Sequence, residues 1–213
     1  MKRIFFEIIA VAILLIIVAI SCKKETEEIE KGVVIDGVRW ATRNVDKPGT
    51  FAKNPEDPGM FYQWNSKIGW SATDPMINSD GDTTWNNPTP AGDTWEKVND
   101  PCPTGWRVPT HGELESLVTA GSHWTTKNGV NGRVFGGDGY TVFLPAAGTR
   151  SINENIDIIG NGCLWNVGNY GSYWSCTPDS DYSARFMFFG GEGVYTANSL
   201  YRNAGFSVRC VAE

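Results

Sequence analysis

The chain has few of the side chains on which most catalytic and metal sites depend. It contains only two histidines, His111 and His123, in 213 residues. They do not form a paired spacing typical of zinc ligands, and the chain has no Cys-x-x-Cys motif. Their spacing suggests no Ser-His-Asp arrangement, although geometry rather than sequence identifies such triads. We therefore expect a protein that is not an enzyme, with no catalytic residues, no metal ligands and no cofactor.

Positive charge is also scarce. The formal net charge is −6, which gives no electrostatic basis for binding nucleic acid. Tandem repeats and hydrophobic heptads are missing as well, so a solenoid or a coiled coil is not expected. The 24 glycines and 11 prolines instead indicate a loop-rich domain built mostly from strands and irregular segments.

No apolar run reaches the length of about 20 residues that a membrane-spanning helix needs. The run at 8–20 has 13 residues and follows a basic start. The sequence AISC at 19–22 resembles the lipobox of bacterial lipoproteins. That resemblance implies that residues 1–21 are a signal peptide and that Cys22 carries the lipid. The alternative is an uncleaved N-terminal anchor.

The next segment is a charged tether. Residues 23–31 read KKETEEIEK, and they have too little apolar surface to order themselves. Acidic residues just after the lipid-bearing cysteine resemble the surface-export signal of Bacteroidetes lipoproteins, although a plain spacer would look similar. We therefore expect a lipidated cysteine and tether at 22–32 and one domain at 33–213. The protein is then lipid-anchored in the outer membrane, at the cell surface.

Four cysteines remain after Cys22. An even number in an exported chain indicates two disulfides, with three possible connectivities. We favour Cys102 with Cys210, because this bridge closes a long loop and such loops are stabilised most in the chain-entropy model. Cys163 and Cys176 would then form the second bridge, unless both remain free thiols.

Local patterns predict an α+β fold with small antiparallel sheets, about two helices and long loops. The Asp-Gly pair within 33–40 predicts a tight hairpin. Thr110 and Glu113 fit a capping box, so the clearest helix begins there and ends near Gly121. A second hairpin is expected at 134–144, and 90–98 has room for one or two helical turns.

Four motifs resemble the Fibrobacter succinogenes major paralogous domain, in their order and spacing. They read DPCPTGWRVPT at 100–110, FLPAAG at 143–148, YWS at 173–175 and GFSVRCV at 205–211. The resemblance covers roughly 33–211, nearly the whole mature chain, and implies a C-type-lectin-like fold with its termini close together. It also implies the long-range disulfide between Cys102 and Cys210. Cys176 replaces a usual serine, which makes a second disulfide with Cys163 plausible.

The last fifty residues combine a frame of aromatics and glycines with loops of adaptable polar and aromatic side chains. Tyr supplies contact area at low entropic cost, and Asn and Ser supply adaptable hydrogen bonds, so this composition favours recognition. The segment resembles the variable proteins of diversity-generating retroelements; the alternative is a fixed loop set. The residues expected to contact the ligand are Leu164, Asn166, Asn169, Tyr170, Ser172, Asp181, Tyr182, Arg185, Met187, Tyr195, Asn198, Leu200, Tyr201 and Asn203.

We therefore expect a surface lipoprotein that binds a protein or glycan ligand through this face. The membrane would be contacted through the lipid anchor, and nucleic acid is not an expected partner. Two other classes remain open: a glycan-processing accessory protein, and a structural subunit of an envelope or adhesive assembly.

Two further segments have competing explanations. The tryptophans of 64–95 would form either a sugar-stacking platform or, as we favour, part of the core. The loop around Asp80 and Asp82 could donate oxygens to Ca²⁺, although a plain Asp-Gly turn is the better reading. The sugar-binding triplets of calcium-dependent lectins are absent, and WNV at 165–167 lacks the aspartate of the related Trp-Asn-Asp motif. A calcium-dependent lectin mechanism is therefore not expected.

Overall fold

A computed structural model describes residues 31–85, 90–151 and 162–213. The expected signal peptide, Cys22 and nearly all of the tether lie outside these residues. The strands of the described part are β1 (Val33–Ile35), β2 (Val38–Trp40), β3 (Met60–Tyr62), β4 (Gly69–Ser71), β5 (Trp106–Arg107), β6 (Ser122–Lys127), β7 (Val130–Gly137), β8 (Tyr140–Pro145), β9 (Thr149–Ser151), β10 (Cys163–Trp165), β11 (Gly171–Pro178), β12 (Ser183–Phe189), β13 (Val194–Tyr201) and β14 (Val211–Ala212).

The architecture is α+β, with several small sheets whose strands pair antiparallel. The described ranges contain one α-helix, α1 (His111–Thr119), where about two were expected. The segment 90–98 contributes only the start of a single 3-10 turn, Lys97–Asn99. The backbone amide of Glu96 donates to Asn65 Oδ1 at 2.8 Å. This amide is therefore not available for the backbone hydrogen bond that a longer helix would need.

The first hairpin forms as its sequence predicts. Asp36 and Gly37 have φ of 48° and 80°, the positive values that a type I′ turn requires. Strand β2 also pairs with β14, which in turn pairs with β5, giving the order β1-β2-β14-β5. The final strand is therefore bonded to the first hairpin, and the two ends of the domain meet in one sheet.

The helix start is also confirmed. The Thr110 hydroxyl accepts a hydrogen bond from the Glu113 amide at 3.2 Å, and the Thr110 amide donates to the Glu113 carboxylate at 2.7 Å. Leu114 and Leu117 are fully buried on the inner face of α1. Gly121 follows the C-cap with φ of 90°, a left-handed conformation that favours glycine.

The three-stranded sheet β11-β12-β13 separates two apolar clusters. Successive residues of a strand point to opposite faces. Accordingly, Phe186 belongs to a cluster that contains Trp174 and Phe206, whereas Met187 and Phe189 belong to the other. Because Phe186, Met187 and Phe189 are buried on the two faces of this middle strand, packing fixes their positions.

The tryptophan-rich insertion is part of the core. Trp64, Trp70, Trp85 and Trp95 expose 0, 1, 3 and 7% of their surface. The rings of Trp70 and Trp85 lie 4.8 Å apart, and Trp64 packs against Trp95 at 5.9 Å. This confirms the core interpretation, and the alternative of a sugar-stacking platform on these residues is wrong.

Cys102 and Cys210 form a disulfide across 108 residues of sequence. The expected second bridge is wrong, because Cys163 and Cys176 are both free. Cys163 is exposed on β10, which pairs with β9. Cys176 lies on β11, in another sheet, and its amide donates to Pro109 at 2.7 Å. The two thiols are therefore held on different elements.

Three of the four buried arginines in the described ranges join distant segments of the chain, which the sequence motifs did not reveal. Arg150, Arg202 and Arg209 expose 1, 2 and 0% of their surface. Their guanidinium groups donate mainly to backbone carbonyls: Arg150 to Gly162 at 2.7 Å, for example, and Arg202 to Gly92 at 2.7 Å. Buried charges persist where their donors are paired, so these side chains cross-link segments that have little regular structure.

Candidate ligand-binding surface

Strand β13 carries five exposed residues, Tyr195, Ala197, Ser199, Leu200 and Tyr201. Within the part of the chain that the structure describes, it pairs on one side only, with β12. Tyr195 lies opposite Phe188 in the register, and Asn198 lies opposite Phe186. The register shifts between these two pairs, so β13 contains a bulge that keeps Tyr195 and Asn198 on the same face despite their spacing of three.

Three aromatic rings form a row on this face, which we call the aromatic row: Tyr170, Phe188 and Tyr195. Tyr170 stacks on Phe188 at 4.9 Å between centroids, with the planes 24° apart. Phe188 lies 6.3 Å from Tyr195. Tyr170 exposes 39% of its surface and Tyr195 exposes 52%, while Phe188 is half-buried between them. The row therefore presents two phenol rings to solvent on an apolar base.

Glycines make room for both outer rings. At Gly190, an added Cβ would lie 2.7 Å from ring carbons of Tyr170. At Gly193, an added Cβ would lie 3.3 Å from the Tyr195 hydroxyl. Since real Cβ atoms are essentially never found as close as the first distance, a side chain at Gly190 would displace the Tyr170 ring.

Asn198 and Leu200 extend the same face along β13. Alternation from Asn198 places Leu200 on its side of the sheet, and Leu200 lies opposite Ala184 in the register. Leu200 exposes 36% of its surface, and Asn198 is half-buried. The row and these two residues together form one surface of aromatic, aliphatic and amide groups.

Other expected residues lie on the opposite face of the sheet. Arg185 is opposite Ser199 in the register, and Tyr201 is opposite Ser183. The guanidinium of Arg185 pairs with Asp179 at 2.5 Å. A hydrogen bond from Ser199 and the charge of Arg185 hold the pKa of Asp179 below its usual range. Arg185 and the exposed Tyr201 therefore cannot share one flat contact with the aromatic row.

Ser172 and Met187 are buried, so their expected role in contacting a ligand is wrong. Ser172 exposes 4% of its surface on β11 and lies opposite Phe188 in the register. Met187 exposes none of its surface and packs in the second apolar cluster. Both lie at strand positions that neighbouring residues cover, which a polar and aromatic composition alone does not disclose.

The remaining expected residues lie in turns or at the margins of the surface. Asn166 has φ of 60° and is exposed with Asn169 in the turn after β10. Asp181 and Tyr182 are exposed in the turn between β11 and β12, where Tyr182 exposes 65%. Leu164 and Asn203 are half-buried, and Leu164 packs against a small apolar cluster.

The loop around Asp80 and Asp82 forms the plain turn that was favoured over a calcium site, and the side-chain oxygen of Asn78 is bonded within it. Asn78 Oδ1 accepts hydrogen bonds from the amides of Asp80 at 3.0 Å and Asp82 at 2.8 Å. Gly81 adopts φ of 96° within the turn. This geometry is that of an Asx turn closed by its own backbone.

The thiol of Cys176 lies near charged groups but is itself held neutral. Burial raises the pKa of this thiol, and the charge of Arg107 opposes the shift only in part. Arg107 instead pairs with Glu113, at 2.6 and 2.9 Å. Since the thiolate is the reactive form of cysteine, this environment is typical of a structural thiol rather than a nucleophile.

Comparison with known proteins adds no relative. No family profile, curated protein or solved structure matches the chain. Across the described residues, none of the helices has the length and apolar character required to cross a membrane. The functional assignment therefore rests on the geometry of the surface and on the motifs of the sequence.

Proposed function

We propose that this chain is a ligand-binding protein and that its ligand is held on the aromatic row together with Asn198 and Leu200. The observation that carries the proposal is the pair of solvent-facing phenols, Tyr170 and Tyr195, on either side of Phe188. Such rings provide large contact area with few rotatable bonds. Exposed apolar groups that are contiguous, rather than scattered, are typical of interaction sites.

The proposed fold is C-type-lectin-like. Two features support it: the pairing of β14 with the first hairpin, and the disulfide between Cys102 and Cys210. These agree with what the resemblance to the major paralogous domain implies. In such a fold a rigid frame carries loops that are free to vary, which suits a recognition role.

A hypervariable surface is part of the proposal. Tyr195, Leu200 and Tyr201 are exposed on β13, so a change of side chain there would leave the core intact. Sequencing the gene and its flanks from many cells of one culture tests this. A reverse transcriptase gene beside a near-copy of the 3′ end that differs only at adenines would support it, and an invariant gene without such a template would refute it.

We further propose that the protein is lipid-anchored through Cys22 and faces outward from the outer membrane. The AISC sequence and the acidic tether that follows it support this placement. Mass analysis of the N-terminal peptide from cell membranes should find a diacylglyceryl group on Cys22. A protein that begins at Met1 without lipid would refute the anchor.

Binding is tested with immobilised glycans and bacterial surface proteins on an array. The full-length protein should bind a subset of probes, and Tyr195→Ser should lose most of that signal. Tyr140→Ser is the matched control, because Tyr140 exposes 65% of its surface on β8, away from the row. Equal binding by both variants would refute the assignment of the surface.

A further inference from the structure

A second cleft, separate from the aromatic row, lies under the turn between β6 and β7. Its volume is about 300 Å³, close to the lower end of small-ligand pockets. One wall is Gly129 with the start of β7, and another is the turn at Val167 and Gly168. Pro145, Ala146 and Ala147 are among its apolar lining residues.

Hydrogen bonds beneath the cleft join its walls. Ala146 donates its amide to the Asn131 carbonyl at 2.8 Å and accepts from the Gly168 amide at 2.8 Å. The side-chain amide of Asn131 donates to the Gly168 carbonyl at 3.0 Å. The cleft is therefore formed without a ligand, and these polar groups of its base are already paired.

Glu56 is the one charged residue among those lining the cleft in the part of the chain that the structure describes. Its Oε1 accepts a hydrogen bond from Asn128 Nδ2. Its Oε2 is buried and has no hydrogen-bond partner among the described residues. Lys127, next to Asn128, lies instead over the Phe143 ring at 5.9 Å. Because this oxygen of Glu56 has almost no accessible surface, a ligand in the cleft reaches it only when the Glu56 side chain rotates. A buried carboxylate oxygen without a donor is unfavourable, so a ligand that supplies one would be stabilised.

We propose that this cleft binds a primary ammonium group on a short aliphatic stem, with the ammonium donating to Glu56 Oε2. The apolar lining suits the stem, and the single negative charge suits a cation. An ammonium is favoured over a guanidinium because one oxygen is available. A guanidinium binds a carboxylate best through two parallel hydrogen bonds, whereas an ammonium is a compact charge that needs a single acceptor.

The proposal is tested by ligand-observed NMR on the full-length protein with four probes. These are n-pentylammonium, its neutral analogue 1-pentanol, and the N-methylamides of Nα-acetyl-lysine and Nα-acetyl-arginine. We expect n-pentylammonium to bind saturably and at least about tenfold more tightly than 1-pentanol, the factor that one charge-assisted hydrogen bond provides. The arginine probe should bind more weakly than the lysine probe.

The lysine probe identifies the source of the ammonium. If the lysine probe binds as tightly as n-pentylammonium, the result would point to a lysine side chain of a polypeptide as the natural ligand. If the lysine probe binds much more weakly, the result would point to a free amine. Both results support the cleft. Glu56→Gln should weaken n-pentylammonium binding about tenfold or more, while Glu192→Gln, which removes an exposed carboxylate outside the cleft, should not. No saturable binding, equal binding of 1-pentanol by the unaltered protein, or unchanged binding by Glu56→Gln would overturn the proposal.

Discussion

The guanidinium of Arg209 donates two hydrogen bonds to Asn44 Oδ1, at 2.9 and 2.7 Å, across 165 residues of sequence. It also donates to the carbonyls of Ala41 at 3.2 Å and Phe143 at 3.1 Å. Burial lowers the pKa of Arg209 to about 10, so the group still carries its charge at neutral pH. One side chain thus joins the first loop, the hairpin β7-β8 and the last segment of the chain.

Replacing Arg209 by methionine should destabilise the domain by about 3 kcal/mol or more, because several buried acceptors would lose their donor. Urea unfolding at neutral pH measures this free energy. Arg185→Met is the matched variant, since its ion pair with Asp179 is partly exposed and should contribute no more than about 1 kcal/mol. Similar losses for both variants would contradict the role given to Arg209.

The disulfide between Cys102 and Cys210 should be the strongest covalent constraint on the fold. Because it closes a loop of 108 residues, Cys102→Ser should lower the free energy of unfolding by about 4 kcal/mol. Thermal unfolding with and without reductant provides the measurement. Cys163→Ser should change nothing measurable, because that thiol is free and exposed. Finding free thiols at Cys102 and Cys210 by intact-mass analysis would refute the pairing.

The hydrogen bonds of Glu113 at the start of α1 should make the free energy of unfolding depend on pH. Burial alone would raise the pKa of Glu113, but hydrogen bonds from Arg107 and Thr110 outweigh it and hold the pKa below 4.5. A carboxylate whose pKa is lowered in the folded state stabilises the fold above pH 4.5. This contribution is lost as the pH falls through the pKa of the folded state. Glu113→Gln should therefore be about 1 kcal/mol less stable at pH 7.

Comparing Glu113→Gln with the unaltered protein at lower pH provides the control for this prediction. The difference between the two proteins should shrink steadily as urea unfolding is repeated at lower pH. Glu115→Gln, on the exposed side of α1, should show a much smaller difference at pH 7. A constant difference between Glu113→Gln and the unaltered protein at every pH would show that the carboxylate charge is not responsible.

Features that depend on neighbouring residues were predictable from the sequence. The hairpin at Asp36-Gly37 and the capping box at Thr110 follow from backbone conformations that few residue types adopt or satisfy. The disulfide between Cys102 and Cys210 was expected as well. In the first two cases the pattern identifies the local geometry, whereas the disulfide was the favoured one of three possible connectivities.

Long-range arrangement was harder to predict. Met187 was expected on the ligand-binding face because it lies among polar and aromatic residues, but it is buried in the second apolar cluster. Arg209 and Arg202 bond to backbone carbonyls of distant segments, and a backbone carbonyl leaves no signature in sequence. The bulge in β13 places Tyr195 beside Phe188. The spacing from Tyr195 to Asn198 on β13 is one residue longer than the spacing from Phe188 to Phe186 on β12. The aromatic row depends on this shift.

Hydroxyl-radical footprinting of the full-length protein, with and without the ligand that gives the strongest array signal, tests the binding surface most directly. Oxidation of each tyrosine would be quantified by mass spectrometry at a saturating ligand concentration. We predict that Tyr170 and Tyr195 become protected, while Tyr140, which is exposed on another sheet, reacts as before. Unchanged oxidation of Tyr170 and Tyr195, or protection at Tyr140 alone, would contradict the assignment of the aromatic row as the ligand-binding surface.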